Sequence, residues 1–173
     1  QVANNEKIIS ALLEGNRDLA HDVLSTLGKT FKENTGFRNV QIHLIDKDLN
    51  SFYKSWQKDK HGESLSYSTG YAEVKSTGKS LVAMEMSSKG LRLKGLFPIR
   101  HEGQFLGIAN FEGGLNSIKR TLKPYDIDFL YYMDAGGVSI AKEMEGKPRL
   151  GNYIINQKDV DEAFDQYVNR SGQ

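Results

Sequence analysis

The stretch Ser80–Gly114, SLVAMEMSSKGLRLKGLFPIRHEGQFLGIANFEGG, reads as three consecutive strands joined by short turns. Ser87-Ser88-Lys89-Gly90 separates the first run from the second, and His101-Glu102-Gly103 separates the second from the third. Short connections ending in glycine suit hairpins, because glycine tolerates the positive φ that such loops need. The spacing therefore predicts an antiparallel meander. In its second strand Leu91, Leu93, Phe97 and Ile99, with Gly95 among them, share one face. Arg92, Lys94, Leu96, Pro98 and Arg100 share the other, since successive side chains on a strand point to opposite sides. In the third strand Phe105, Gly107, Ala109 and Phe111 alternate with Leu106, Ile108, Asn110 and Glu112. A half-polar face means that the sheet is not sandwiched between two apolar layers.

Upstream, Glu6–Asn34 reads as one long helix. Ile8, Ile9, Leu12, Leu13, Leu19, Ala20, Val23, Leu24, Leu27 and Phe31 recur at the three- and four-residue spacing of a helical face. Asn34-Thr35-Gly36 is the expected stop. Such a helix would be about 40 Å long, more than an ordinary sheet covers. Its stripe has two competing uses, a partner helix in a homodimer or its own sheet. Asn39–Asp46 and Ser51–Gln57 follow as a hairpin, with Phe52, Lys54 and Trp56 expected on one face. Tyr71–Lys75 reads as a short helix ended by Gly78, lying across a sheet face.

Downstream, Asn116–Leu122 reads as a short helix halted by Pro124. Asp128–Met133 resembles a strand, Gly136-Gly137 a break and Val138–Glu145 a helix. Asn152–Ile155 reads as a strand and Asp159–Val168 as a helix.

The chain has 173 residues, net charge +1 and 26% charged residues, which suits one domain with a small appendage and gives no reason to expect a nucleic-acid partner. It has no cysteine, which excludes disulfides, thiolate metal sites and cysteine nucleophiles. No apolar run approaches the roughly 18 residues needed to cross a bilayer. Because the chain begins at Gln1 and runs directly into helix formers, it is read as a piece of a longer protein.

Several motifs fail on inspection. Asp46-Lys47-Asp48-Leu49-Asn50 opens like a calcium loop, but Ser51 and Gln57 replace the required glycine and glutamate. Gly90–Gly95 has phosphate-loop spacing but continues into Leu96 instead of lysine. Gly137–Ala141 is one residue from a nucleophile elbow and lacks a fitting strand and histidine. The histidines lack metal-ligand spacing, so His43 is read as a hairpin residue, and no catalytic residue, metal or cofactor is expected. What remains is a cationic and aromatic cluster: Lys54 and Trp56 from one strand, Arg92 and Lys94 from another, with Tyr67 and Tyr71 closing over them. Fixed ammonium and guanidinium donors at an aromatic-lined pocket suit a small carboxylate. The competing reading is a solvated sheet face whose aliphatic stems cover apolar surface.

At these residues the sequence resembles the Cache-type extracellular sensor domains, closest to the single-Cache and related modules of bacterial methyl-accepting chemotaxis proteins and sensor kinases. Gly90–Ile99 and Gly103–Gly113 carry the resemblance, which extends over roughly residues 5–123. It departs from them at Tyr53-Lys54-Ser55-Trp56, where relatives often read leu-arg-ser-his. The resemblance implies an α+β, PAS-like Cache sensor fold: a central antiparallel five-stranded sheet with a long N-terminal helix packed on one face. It divides the chain into the helix 1–36, a sensor core 37–123 and a C-terminal extension 124–173. By position it assigns ligand contacts to Lys54, Trp56, Arg92 and Lys94. The expected function is the periplasmic domain of an inner-membrane chemoreceptor, binding an organic acid or amino acid and pairing as a homodimer through the N-terminal helix. The alternative is a cytosolic PAS- or GAF-like module binding a nucleotide or prosthetic group.

Overall fold

The computed structural model describes residues 2–34, 40–157 and 166–167. The meander is present as β3 (Leu81–Ser87), β4 (Gly90–His101) and β5 (Gln104–Gly113). With β1 (Gln41–Asp46) and β2 (Ser51–Lys54) these strands form a five-stranded sheet in the order β2-β1-β5-β4-β3. The β4–β5 turn is tighter than expected. Glu102 (φ 48°) and Gly103 (φ 81°) are its two central residues, both left-handed, which matches the strand twist of a two-residue hairpin.

Two register shifts set which side chains share a face. Between Leu44 and Ile45 the pairing of β1 with β2 skips Phe52, and between Ile99 and Arg100 the pairing of β4 with β5 skips Leu106. An extra residue of this kind is a β-bulge, and it re-aims the side chains around it. Phe52 and Tyr53 consequently both enter the core on the helix-packed face. The expectation that Phe52, Lys54 and Trp56 share a face is therefore corrected. Strand β2 ends at Lys54, and Trp56 lies in the turn beyond it.

The single N-terminal helix is also corrected. Two helices stand in its place, α1 (Glu6–Glu14) and α2 (Arg17–Asn34). Gly15 is left-handed (φ 67°) and its N–H donates to the Ala11 carbonyl, closing α1. The Asn16 side chain accepts from the Leu19 N–H at 3.1 Å and opens α2. A Gly-Asn pair inside an apolar stripe is thus a stop followed by a start. The 18 residues of α2 span about 27 Å rather than 40. Ile8, Ala11, Ala20 and Leu24 are buried against Ile42, Leu44, Phe52, Tyr53, Ile99, Leu106 and Ala109, so these members of the stripe pack on the chain's own sheet. The Phe31 side chain and the stop at Gly36 lie outside the described residues. On the opposite face, α3 (Thr69–Thr77) is capped by Ser68 and by left-handed Gly78. Its Tyr71 and Val74 pack with Ile45, Leu49, Leu65, Leu96 and Ile108.

The chain divides into two compact units, Gln1–Ala83 with Leu93–Gly113, and Met84–Arg92 with Gly114–Gln173. The second unit thus starts at Gly114, ahead of the expected boundary at 124, and takes in the tip of the β3–β4 hairpin. It contains α4 (Asn116–Leu122), with Pro124 in the 3-10 turn that follows. Strands β6 (Tyr132–Asp134), β7 (Arg149–Leu150) and β8 (Tyr153–Ile155) form a three-stranded sheet in the order β6-β8-β7. Only the end of the expected Asp128–Met133 strand is strand. The expected Val138–Glu145 helix is instead a pair of 3-10 turns, Ala135–Ser139 and Lys142–Met144. The expected Asp159–Val168 helix lies outside the described residues apart from Gln166 and Tyr167. The core of this unit is Met133, Ala141, Met144 and Ile154, flanked by Met86, Leu91, Ala135 and Val138.

Asn156 ties this unit together. It is buried, accepts from the Leu91 N–H and donates to the Leu91 carbonyl, both at 3.0 Å, imitating a strand partner. Asn156→Ala is expected to cost about 2 kcal/mol and to leave both Leu91 groups unsatisfied. Hydrogen exchange checks this: the Leu91 amide should lose its protection while the core amides of the first unit keep theirs. Unchanged protection at Leu91 would contradict the role. Among the described residues no helix is long and apolar enough to cross a membrane.

Candidate functional site

The α3-facing side of the large sheet is apolar at one end and polar at the other. Ile45, Leu96 and Ile108 make the apolar end, where α3 packs. Beyond them the pairing aligns a row of polar side chains. His43 lies opposite both Lys54 and Asn110, Asn110 lies opposite Leu96, and Glu112 lies opposite both Lys94 and Gln41. Directly opposed residues share a face, with Cβ atoms about 5 Å apart. Lys94 (2% exposed), Asn110 (0%), Glu112 (5%) and His43 (4%) are all buried. Groups of this kind are placed in an interior only where partners compensate the lost water.

The partners are specific. The Lys94 ammonium sits 4.9 Å from the centre of the Tyr71 ring, a cation–π contact. The Asn110 Nδ2 donates to the Tyr71 hydroxyl at 2.9 Å and to Glu112 Oε2 at 3.4 Å. The Asn110 Oδ1 is buried and has no hydrogen-bond partner among the described residues. An unsatisfied buried acceptor costs about 1–3 kcal/mol. His43 Nε2 and Ser51 Oγ are hydrogen-bonded at 2.8 Å, and the Trp56 ring meets the imidazole edge-on at 5.7 Å. Burial, followed by the charges of Lys54 and Lys94, lowers the His43 pKa to about 3, so the ring is neutral at physiological pH. Lys54 forms an ion pair with Glu63. Burial first, and then Lys60, lowers the Lys54 pKa, while Glu112 acts in the opposite direction.

Of the residues expected at the site, Lys54, Tyr71 and Lys94 surround His43, Asn110 and Glu112. Trp56 touches His43 from the turn after β2 rather than from the strand. Tyr67 is half exposed in the turn before α3. Arg92 belongs to the second unit, where its guanidinium lies so close to Gly114 that a Cβ there would come within 2.7 Å of Nη1. Its charge lowers the Tyr131 pKa, an effect outweighed by burial, which raises it. Sequence reasoning missed His43, Glu63, Asn110 and Glu112 as members of the polar row. The alternation of β5 already put Asn110 and Glu112 on one face, which was the signal available. Among the described residues no group of three histidine, aspartate or glutamate side chains could hold a metal. The row offers an ammonium, a carboxylate, an open amide carbonyl and aromatic faces, a set suited to recognising a small polar molecule.

A five-stranded antiparallel sheet with helices on one face and a capped helix over a buried polar row on the other defines an α+β, PAS-like sensor module. The chain belongs to the dCache_3 family, the double sensory domain of two-component sensor kinase, whose pattern matches residues 1–124, and it is a Cache-type extracellular sensor domain. A solved structure, the sensor domain of the histidine kinase DctB of V. cholerae, is similar over 99% of this chain at 13% identity and a TM-score of 0.57. This chain spans 65% of the length of that one. No curated protein matches the sequence.

Proposed function

We propose that this chain is the periplasmic ligand-binding part of an inner-membrane sensor, taking a small anionic molecule on the α3-facing side of its sheet. Lys94 carries the reading. A lysine buried to 2% exposure, with an aromatic face on its ammonium and polar groups around it, is an expensive arrangement for structure alone. Glu112 stands opposite it across the β4–β5 pair, and a ligand carboxylate would add a charge-assisted hydrogen bond. The description of the family supports output through a histidine kinase rather than the methyl-accepting chemotaxis receptor expected from the sequence. In this reading the domain performs no catalysis. It biases a two-state equilibrium by binding one state more tightly than the other. A homodimer through α1 and α2 belongs to the same reading, and Leu13, 55% exposed on α1, is an apolar residue available for it.

The test is a thermal-shift screen of the chain against organic acids and amino acids, followed by titration calorimetry. Lys94→Met, which keeps the side chain's length and removes its charge, is expected to weaken binding by about 100-fold, or ~2.7 kcal/mol. The far-UV circular dichroism should be unchanged. Equal affinity in this variant would remove Lys94 from the site.

A further inference from the structure

All four methionines of the chain, Met84, Met86, Met133 and Met144, lie in the second unit. All four histidines, His21, His43, His61 and His101, lie in the first, and the chain has no cysteine. Its softest donors are therefore thioethers, and they are gathered apart from its imidazoles. Three of them meet in one core. Met133 (3% exposed) and Met144 (9%) are buried together with Ala141 and Ile154, and Met86 packs against them. The three come from separate elements: Met86 from β3, Met133 from β6 and Met144 from the Lys142–Met144 turn. Gly137 makes room for the contact. A Cβ there would stand 2.5 Å from Met86 Cε, 3.4 Å from Met86 Sδ and 3.3 Å from Met133 Cε, so two thioether ends converge on one spot. Met84 is two residues before Met86 on β3, shares its side of the strand and is 48% exposed. The methionines thus lead from solvent at Met84 to the interior at Met133.

Thioethers select soft ions over hard ones. They carry no charge and leave that of a buried ion uncompensated, which favours one positive charge over two. Three rotatable bonds let each methionine turn its sulfur inward. We propose that Met86, Met133 and Met144 form a second binding site, for a soft monovalent cation of the copper(I) and silver(I) class, with Met84 as its entry. The site is independent of the anion proposed for the first unit.

Silver nitrate titrated into the full chain in chloride-free buffer tests this, followed through the methyl signals of isotope-labelled methionine. The expected result is that three of the four methyl signals move together and that the fourth, identified as Met84 by its loss in Met84→Leu, stays in place. Zinc(II) is expected to move none of them. Met86→Leu and Met133→Leu keep the side-chain volume and are each expected to weaken silver binding by about 10-fold or more. Methionine signals that ignore silver overturn the site, and that is the result of a core in which methionine serves packing alone. Silver affinity retained in both variants also overturns it and places the ion on the histidines. An equal response to zinc overturns the preference for soft ions. The methyl signals are read on the unmodified chain, so poor folding of a variant does not decide the outcome.

Discussion

Gly107→Ala is expected to destabilise the first unit by about 3 kcal/mol or more, enough to leave much of the protein unfolded or insoluble. Gly107 sits on β5 opposite Asp46 of β1 and Ile99 of β4, between two strands that are interior to the sheet. A Cβ at this position would stand 2.1 Å from the Ile45 carbonyl oxygen and 3.2 Å from its carbon. Both are backbone atoms, so no side chain can rotate away, and relief requires moving β1 against β5. The polar row rides on those two strands, through His43, Asn110 and Glu112, and would be displaced with them. Gly113→Ala is the control, since nothing lies within 4 Å of its added Cβ. Urea denaturation of the two variants checks the expectation. A Gly107→Ala midpoint equal to that of Gly113→Ala would show that β1 and β5 part easily.

Lowering the pH from neutrality toward 4.5 is expected to destabilise the fold by about 2.7 kcal/mol through His43 alone. Its pKa is about 3 in the folded protein and 6.5 in the unfolded chain. Between these values the unfolded chain takes up a proton that the folded protein refuses. The stabilisation is therefore complete above pH 6.5 and is lost as the pH falls toward 3, by at most about 1.4 kcal/mol per unit. The cause is burial, with Lys54 and Lys94 adding positive charge nearby; the carboxylates of Glu112 and Glu63 lie on the same side of the sheet. His43→Gln keeps a hydrogen-bonding partner for Ser51 and cannot titrate. The difference in stability between wild type and this variant should shrink as the pH is lowered from 7.5 to 4.5. A difference independent of pH would mean that His43 is protonated in the fold as readily as outside it.

The consequence for a sensor follows from the same geometry. His43 stands on β1 and Asn110 and Glu112 on β5, both interior to the sheet, and Tyr71 stands on a helix packed against it. A molecule bound to the row would contact both the sheet and α3, and it would stabilise whichever arrangement of the two it fits better.

Local chemistry made much of the fold legible. The alternation of β4, the glycines closing its two turns, Gly78 after α3 and Pro124 after α4 all act within a few residues, and the structure contains each of these elements. Gly15-Asn16 was equally local, but its capping signal lay inside an unbroken apolar stripe that hid it. Lys54, Tyr71 and Lys94 could be singled out because a cation or a phenol in a half-apolar strand or helix is conspicuous by type. Their partners could not. Counting back from the Glu102-Gly103 turn in a regular hairpin places Phe111 opposite Lys94, whereas the structure places Glu112 there. The difference is Leu106, the residue skipped by the pairing, and Phe52 plays the same part between β1 and β2. Whether a strand absorbs an extra residue depends on both faces of the sheet at once: Leu106 and Phe52 fill the core beneath α1 and α2, while Phe105 and Ile108 fill the one beneath α3. The sequence alone determined the strands of the large sheet, the covering helix and a lysine on the polar face of β4. Only tertiary packing, by choosing where the register slips, decided that a carboxylate and an unsatisfied amide stand beside that lysine.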